Sequence, residues 1–116
     1  MNLVTIFIGE ALICYAGQCH PALLGPETPT GRYELVQRHV LAPGYGGVVI
    51  QFKETEKMIY AIHRPYSLDR KINRKRALRS TNPAFRRSIS KGCVNVEDAV
   101  FEDLLREKYR VVIINP

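Results

Sequence analysis

The residues best suited to chemistry lie in the run Ser90-Lys91-Gly92-Cys93-Val94-Asn95. A cysteine at a turn before a helix, beside a cation such as Lys91, sits where a thiol pKa is expected to be lowered. The thiolate is the reactive form, so Cys93 is a candidate nucleophile. Gly92 permits backbone geometries that other residues avoid, and these let consecutive N–H groups turn toward one point. A candidate base is His63, at the end of the strand-like run Met58 to Ile62, where Tyr60, Ala61 and Ile62 suggest a site emerging from the core. The plain alternatives are a buried structural cysteine and a packed or capping histidine. His20 and His39 have no comparable company and read as ordinary residues.

The elements that must position these groups are mostly strands. Leu3 to Ile8 and Ala11 to Tyr15 are short apolar runs separated by Gly9-Glu10, which predicts a hairpin or meander. Pro21 to Leu24 reads as a third strand, with proline at its start or on an edge. A rigid loop over Gly25–Gly31 leads into extended structure at Arg32 to Val36, and Ala42 to Gly47 is turn material. Val48 to Phe52 and Met58 to Ile62 form a hairpin around a polar linker. The stretch after His63 has weak helical character, from Leu68, Ile72 and Leu78, and Asn82-Pro83 interrupts it. Past Cys93 the pattern is clearer. Glu97 and Asp98 suit a first helical turn, Val100, Phe101, Leu104 and Leu105 recur at helical spacing, and Val111 to Ile114 is a closing strand.

These 116 residues make one domain, 1–116, of ordinary globular composition, 46% hydrophobic and 24% charged. That composition argues against disorder and fibrous repeats, and no apolar run approaches the ~20 residues of a membrane span. The formal charge of +6 is unevenly placed. Eight basic residues and no acid lie between Arg70 and Arg87, while the remaining nine basic and eleven acidic residues leave the rest at −2. Nucleic-acid binding would be better supported by interleaved aromatics, and Phe85 is the only one in the stretch. Cys14 and Cys19 flank the turn Ala16-Gly17 and read as two small buried side chains rather than a disulfide, because cross-strand geometry at so short a separation is restrictive. Met1-Asn2 carries no basic residue, and no small-residue cleavage site follows the first apolar run, so no secretory signal is read.

Taken together, the blocks resemble the catalytic domain of the L,D-transpeptidases (YkuD type), cysteine enzymes that remodel bacterial peptidoglycan. His63 matches the family's first histidine, and Ser90-Lys91-Gly92-Cys93-Val94-Asn95 matches its Ser/Thr-His-Gly-Cys-hydrophobic-Asn/Arg block with one change. Thr28-Pro29-Thr30-Gly31-Arg32-Tyr33 matches its Thr-Pro-x-Gly-x-aromatic segment, and the final helix and strand match its closing elements. Two departures stand out. Lys91 replaces the family's histidine before Gly-Cys, and 26 residues separate His63 from Ser90, more than is usual. The basic segment lies inside that enlarged stretch.

The resemblance implies a mainly β, sandwich- or barrel-like fold, with one helix after the cysteine loop and a basic insert of weak helical character. It implies attack of Cys93 on the carbonyl between diaminopimelate and D-alanine of a tetrapeptide stem, with release of D-alanine and a thioester. His63 would move the proton, oriented by the carbonyl of Arg64. Gly92 and Cys93 N–H groups, with Lys91, would hold the oxyanion. Ser90, Asn95, Tyr33 and Tyr60 are the expected substrate-binding residues, with no metal or organic cofactor. Transpeptidation, D-amino-acid exchange and L,D-carboxypeptidase hydrolysis all follow from such a thioester. Peptidoglycan stems are the expected partner, with no nucleic acid. The substrate implies action in the periplasm or cell envelope, reached by a shortened precursor or as a secreted antibacterial effector, which would carry an immunity partner. The alternative function is a non-catalytic module of the same fold that binds cell wall or a partner protein, with Lys91 a sign of lost activity.

Overall fold

A computed structural model describes residues 3–116, so Met1-Asn2, on which part of the signal-peptide expectation rests, lie outside the described residues. Among the described residues, nine strands form one sheet: β1 Leu3–Phe7, β2 Leu12–Tyr15, β3 Gln18–Leu23, β4 Gly31–Glu34, β5 Val36–His39, β6 Val48–Glu54, β7 Ile59–His63, β8 Val94–Val96 and β9 Val111–Asn115. Their order is β4-β9-β1-β2-β3-β8-β7-β6-β5. All pairings are antiparallel except β1 with β9 and β7 with β8. The sheet nearly closes on itself, since Tyr33 of edge strand β4 meets Phe52 of β6 with ring centroids 5.6 Å apart.

Alternation along the strands decides which face is core. Val4, Ile6, Ile13, Val112 and Ile114 point inward and pack with Ile62, Val94 and Val96 into one buried cluster. Helix α3, Asp98–Arg106, adds Val100, Phe101 and Leu104 to the same core, the helical spacing expected of it. Arg106 lies in its last turn, whereas Lys108 falls beyond it in a left-handed conformation (φ 52).

The basic segment folds as two single-turn helices, α1 Arg74–Ala77 and α2 Pro83–Arg86. Asn82-Pro83 begins α2 rather than only breaking a helix, because the Asn82 side chain accepts from the Ala84 N–H and Pro83 occupies the first turn. Ala77 and Leu78 fasten the segment onto Leu23 of β3. Much of its charge is structural. Buried Arg86 donates to the carbonyls of Glu10, Ala11 and Ser80, and Arg87 donates to that of Gly9. Both therefore satisfy the β1–β2 turn, a role that composition could not reveal.

The cysteine expectation is corrected. Cys14 and Cys19 form a disulfide, with Cα atoms 4.0 Å apart. Both turn residues between them have positive φ, 49° at Ala16 and 77° at Gly17, the type I′ geometry that sets flanking strands in tight register. Cys14 is thereby placed directly opposite Cys19, on a face where the first is half-buried and the second exposed. So short a loop removes little unfolded-chain entropy. Replacing both cysteines with serine is expected to cost about 2 kcal/mol or less in urea denaturation. A much larger loss would mean that the bridge supports more than its own hairpin.

Candidate active site

The site stands on the outer face of the sheet. His63 registers with Asn95, and Asn95 with Leu23, so these three side chains share a row on the face opposite the core. Two residues back along each parallel strand, Ala61 and Cys93 lie on that same face. Cys93 and His63 are thus diagonal neighbours on adjacent strands and line one cavity of about 170 Å³ with Arg38, Val40, Tyr45 and Ile59. Loop 40–47 and the segment after His63 cover the row. The Tyr45 ring stands edge-on to His63 at 4.8 Å and leans against Tyr66 at 4.8 Å.

His63 is 2% exposed. Its Nδ1 lies 2.6 Å from the Arg64 carbonyl, which can only accept, so Nδ1 carries the proton. A neutral imidazole then leaves Nε2 as a lone-pair acceptor. Burial holds the ring neutral by lowering its pKa to about 4, aided by the charge of Arg74 and opposed by the Arg64 hydrogen bond. Cys93 is the free thiol. The expectation of a lowered thiol pKa is corrected for the resting site. Burial pushes the Cys93 thiol up, against smaller opposing effects of the Ala61 N–H and Arg74. Its Sγ lies 3.5 Å from the Ile59 carbonyl, to which the S–H donates a hydrogen bond at rest. The resting pair is therefore thiol and neutral imidazole, not an ion pair.

The cation that bears on both groups is Arg74, not Lys91, whose side chain is exposed. Arg74 is held by Asp69 at 2.9 Å and by Asn95 Oδ1 at 3.2 Å, and it lies over the Tyr66 ring. Asn95 is fully buried and also accepts from the Tyr66 N–H at 3.0 Å, so it organises the cover of the site. Its Nδ2 has no partner among the described residues.

The cysteine loop is braced from beneath by the Thr-Pro-x-Gly segment. Thr28 Oγ1 accepts from the Gly25 N–H and donates to the Gly92 carbonyl, both at 3.0 Å, while the Glu27 N–H donates to the Lys91 carbonyl. Buried Ser90 donates through Oγ to the Cys93 carbonyl at 2.6 Å. Gly92 does not use the left-handed region. Glycine is required there for space, because a Cβ would meet Tyr60 Cε1 at 2.7 Å and the Glu27 backbone at 3.2 Å.

Cys93 and His63 thus share the cavity, and the Arg64 carbonyl adjoins it. Gly92, Ser90 and Asn95 support the cysteine strand from outside the cavity lining. The structure does not bring Tyr33 or Tyr60 to the cavity. Tyr60 alternates onto the core face of β7 and packs beside Gly92, and Tyr33 lies on edge strand β4, with its hydroxyl on the Thr30 carbonyl. Sequence reasoning missed Tyr45 and Arg74. Tyr45 lies in a glycine-rich loop that gave no periodic signal, and Arg74 was one basic residue among eight. No grouping of three His, Cys, Asp or Glu suited to a metal ion occurs among the described residues.

A mainly β, nearly closed nine-strand sheet with few helices is a fold that solved L,D-transpeptidases share. An L,D-transpeptidase (Yku) from Stackebrandtia nassauensis matches 98% of this chain over 55% of its own, with TM-score 0.60 and 12% identity. An L,D-transpeptidase from Mycobacterium smegmatis matches 98% over 58%, with TM-score 0.55 and 14% identity. The chain spans a little over half the length of each. No family model matches the sequence, and no curated protein matches it.

Proposed function

We propose that this chain is a cysteine acyltransferase acting on peptidoglycan tetrapeptide stems, of the L,D-transpeptidase or L,D-carboxypeptidase type. The observation that carries the reading is the His63 tautomer: an Nδ1–H fixed on Arg64 leaves Nε2 as the acceptor of a ring that lines one cavity with the unbridged thiol of Cys93. In this mechanism the Cys93 S–H turns from its hydrogen bond with the Ile59 carbonyl toward His63, and the proton passes from Sγ to Nε2 as Sγ attacks the stem carbonyl. The negative charge forming on the carbonyl oxygen is held by the Gly92 and Cys93 N–H groups. Collapse breaks the C–N bond, His63 returns the proton to the departing amine, and D-alanine leaves a thioester on Cys93. An amine acceptor then gives a cross-link or an exchanged D-amino acid, and water gives the tripeptide.

Action in the cell envelope fits the Cys14–Cys19 disulfide, since such bonds persist in oxidising compartments. No helix among the described residues is long and apolar enough to cross a membrane. The test is incubation with disaccharide-tetrapeptide, read by mass spectrometry beside the Cys93→Ala variant. D-Alanine loss that requires Cys93 is expected. Absence of any Cys93-dependent product would overturn the enzyme reading and favour the non-catalytic wall-binding alternative.

A further inference from the structure

Beside the catalytic cavity lies a larger groove of about 620 Å³, within the ~300–1,000 Å³ usual for sites that enclose small ligands. Tyr45 lines both, so one aromatic ring is the partition between them. The groove carries Arg64, Arg70, Lys71, Arg74 and Lys75 against Asp69 and Asp98, five cations to two carboxylates. The two acids are already engaged. Asp69 pairs with Arg74 at 2.9 Å, and Asp98 sits 3.5 Å from Lys75 and 4.0 Å from Arg64. Arg70 and Lys71 are exposed and form no salt bridge among the described residues. The net excess of positive charge therefore faces the groove, not the protein.

Three of the walls are fixed before any ligand arrives. Arg64 lies over the Phe101 ring at 4.6 Å, Arg74 is clamped by Asp69 and Asn95, and the Asp69 carboxylate accepts from the Lys71 and Ile72 N–H groups, which sets the backbone carrying Arg70 and Lys71. A guanidinium and an ammonium carried on a fixed backbone, with no protein partner of their own among the described residues, recognise a carboxylate by short charge-assisted hydrogen bonds. The groove is lined by residues that follow His63 in the chain and shares Tyr45 with the cavity that holds Cys93, so the two sites adjoin.

We propose that this groove is a carboxylate subsite that selects peptide stems whose side carboxylates are free over stems in which they are amidated. The proposal rests on the peptidoglycan reading above and adds a specificity to it. Arg70 and Lys71 are the selecting residues, and the partition by Tyr45 keeps the anion out of the cavity, where it would oppose formation of the thiolate.

The experiment compares free-acid and amidated tetrapeptides in the wild type and in an Arg70→Ala/Lys71→Ala variant. Neither side chain has a structural partner among the described residues, so the variant is expected to keep the wild-type melting temperature. For the free-acid stem, KM is expected to rise about tenfold or more with kcat nearly unchanged, while values for the amidated stem stay put. The preference should also shrink as salt is raised. A second arm needs no turnover: the same two peptides are titrated into Cys93→Ala by calorimetry. Tighter binding of the free acid that disappears on adding Arg70→Ala/Lys71→Ala supports the subsite even if no acyl transfer is found. Cys93-dependent product formed equally well from both stems, with or without the two cations, overturns the subsite and leaves the acyltransferase standing.

Discussion

Under the proposed mechanism, His63→Gln is expected to slow acyl transfer by about 10²–10⁴-fold, the usual contribution of a positioned acid–base group. The effect is large because the resting thiol is pushed above its ordinary pKa and so has little thiolate of its own. Sulfur becomes a nucleophile only as its proton leaves, and Nε2 is the acceptor whose lone pair the Arg64 carbonyl fixes. Alkylation of wild-type Cys93 by iodoacetamide at pH 7 should accordingly be slower than that of a free small thiol and should rise steeply with pH. Cys14 and Cys19 cannot serve as internal references, being joined.

The same substitution has a stability signature. Burial takes His63 from 6.5 to about 4, so between those pH values the unfolded chain binds a proton that the folded chain does not. The contribution is present above pH ~6.5 and is lost as pH falls toward 4, a change of about 3 kcal/mol. His63→Gln should flatten that slope in urea titrations between pH 7 and 4. Asp69 and Asp103 are held below the usual carboxylate range by hydrogen bonds, Asp69 chiefly from Arg74 and Asp103 chiefly from Tyr15, so they titrate lower and do not mimic the effect. A slope unchanged by the substitution would show that His63 is not buried neutral, and the proton path drawn through it would fail with it.

How much of this was legible in the sequence depends on the range over which each residue acts. Val100, Phe101 and Leu104 announced α3 because helix periodicity is local, and the β1–β2 turn was marked by Gly9-Glu10. Cys93, His63 and the Thr28 block could be found from residue types and order. Strand β8 could not, because Val94–Val96 is three residues long and is defined only by its neighbours β3 and β7. The electrostatics were read with the wrong sign for the same reason. Lys91 is adjacent to Cys93 in the chain, but burial of the thiol is a property of the assembled cover, and Arg74 reaches the site through contacts with Asp69 and Asn95. The disulfide likewise depended on two positive φ angles at the turn read from Ala16-Gly17, one of them at an alanine, a residue that rarely adopts one.

Gly25→Ala is expected to be the most damaging substitution outside the proposed cysteine–histidine pair. A Cβ at residue 25 would lie 1.9 Å from the Ser90 carbonyl oxygen and 2.5 Å from its carbon, with the Lys91 carbon at 2.6 Å. Gly25 is not in the left-handed region, so the cost is overlap with backbone rather than conformational strain. The cysteine loop cannot retreat cheaply. Leu24 accepts from the Ile89 and Ser90 N–H groups, Glu27 donates to the Lys91 carbonyl, and Thr28 links the Gly25 N–H to the Gly92 carbonyl. Each of those bonds is worth about 1 kcal/mol net, so yielding along this seam should cost more than ~3 kcal/mol, against a total stability of ~5–15 kcal/mol. Protein that still folds should carry Cys93 displaced, and a shift near 1 Å can remove about 10²-fold in rate. Gly17→Asn is the control. It sits at φ 77 with nothing within 4 Å of its Cβ position, and asparagine tolerates that geometry, so a loss of only a few tenths of a kcal/mol is expected. Chemical denaturation and tetrapeptide turnover of both variants decide the matter. A Gly25→Ala protein within 1 kcal/mol of wild type and fully active would mean that segment 24–28 does not hold the cysteine loop, and Thr28 would lose its role as the brace.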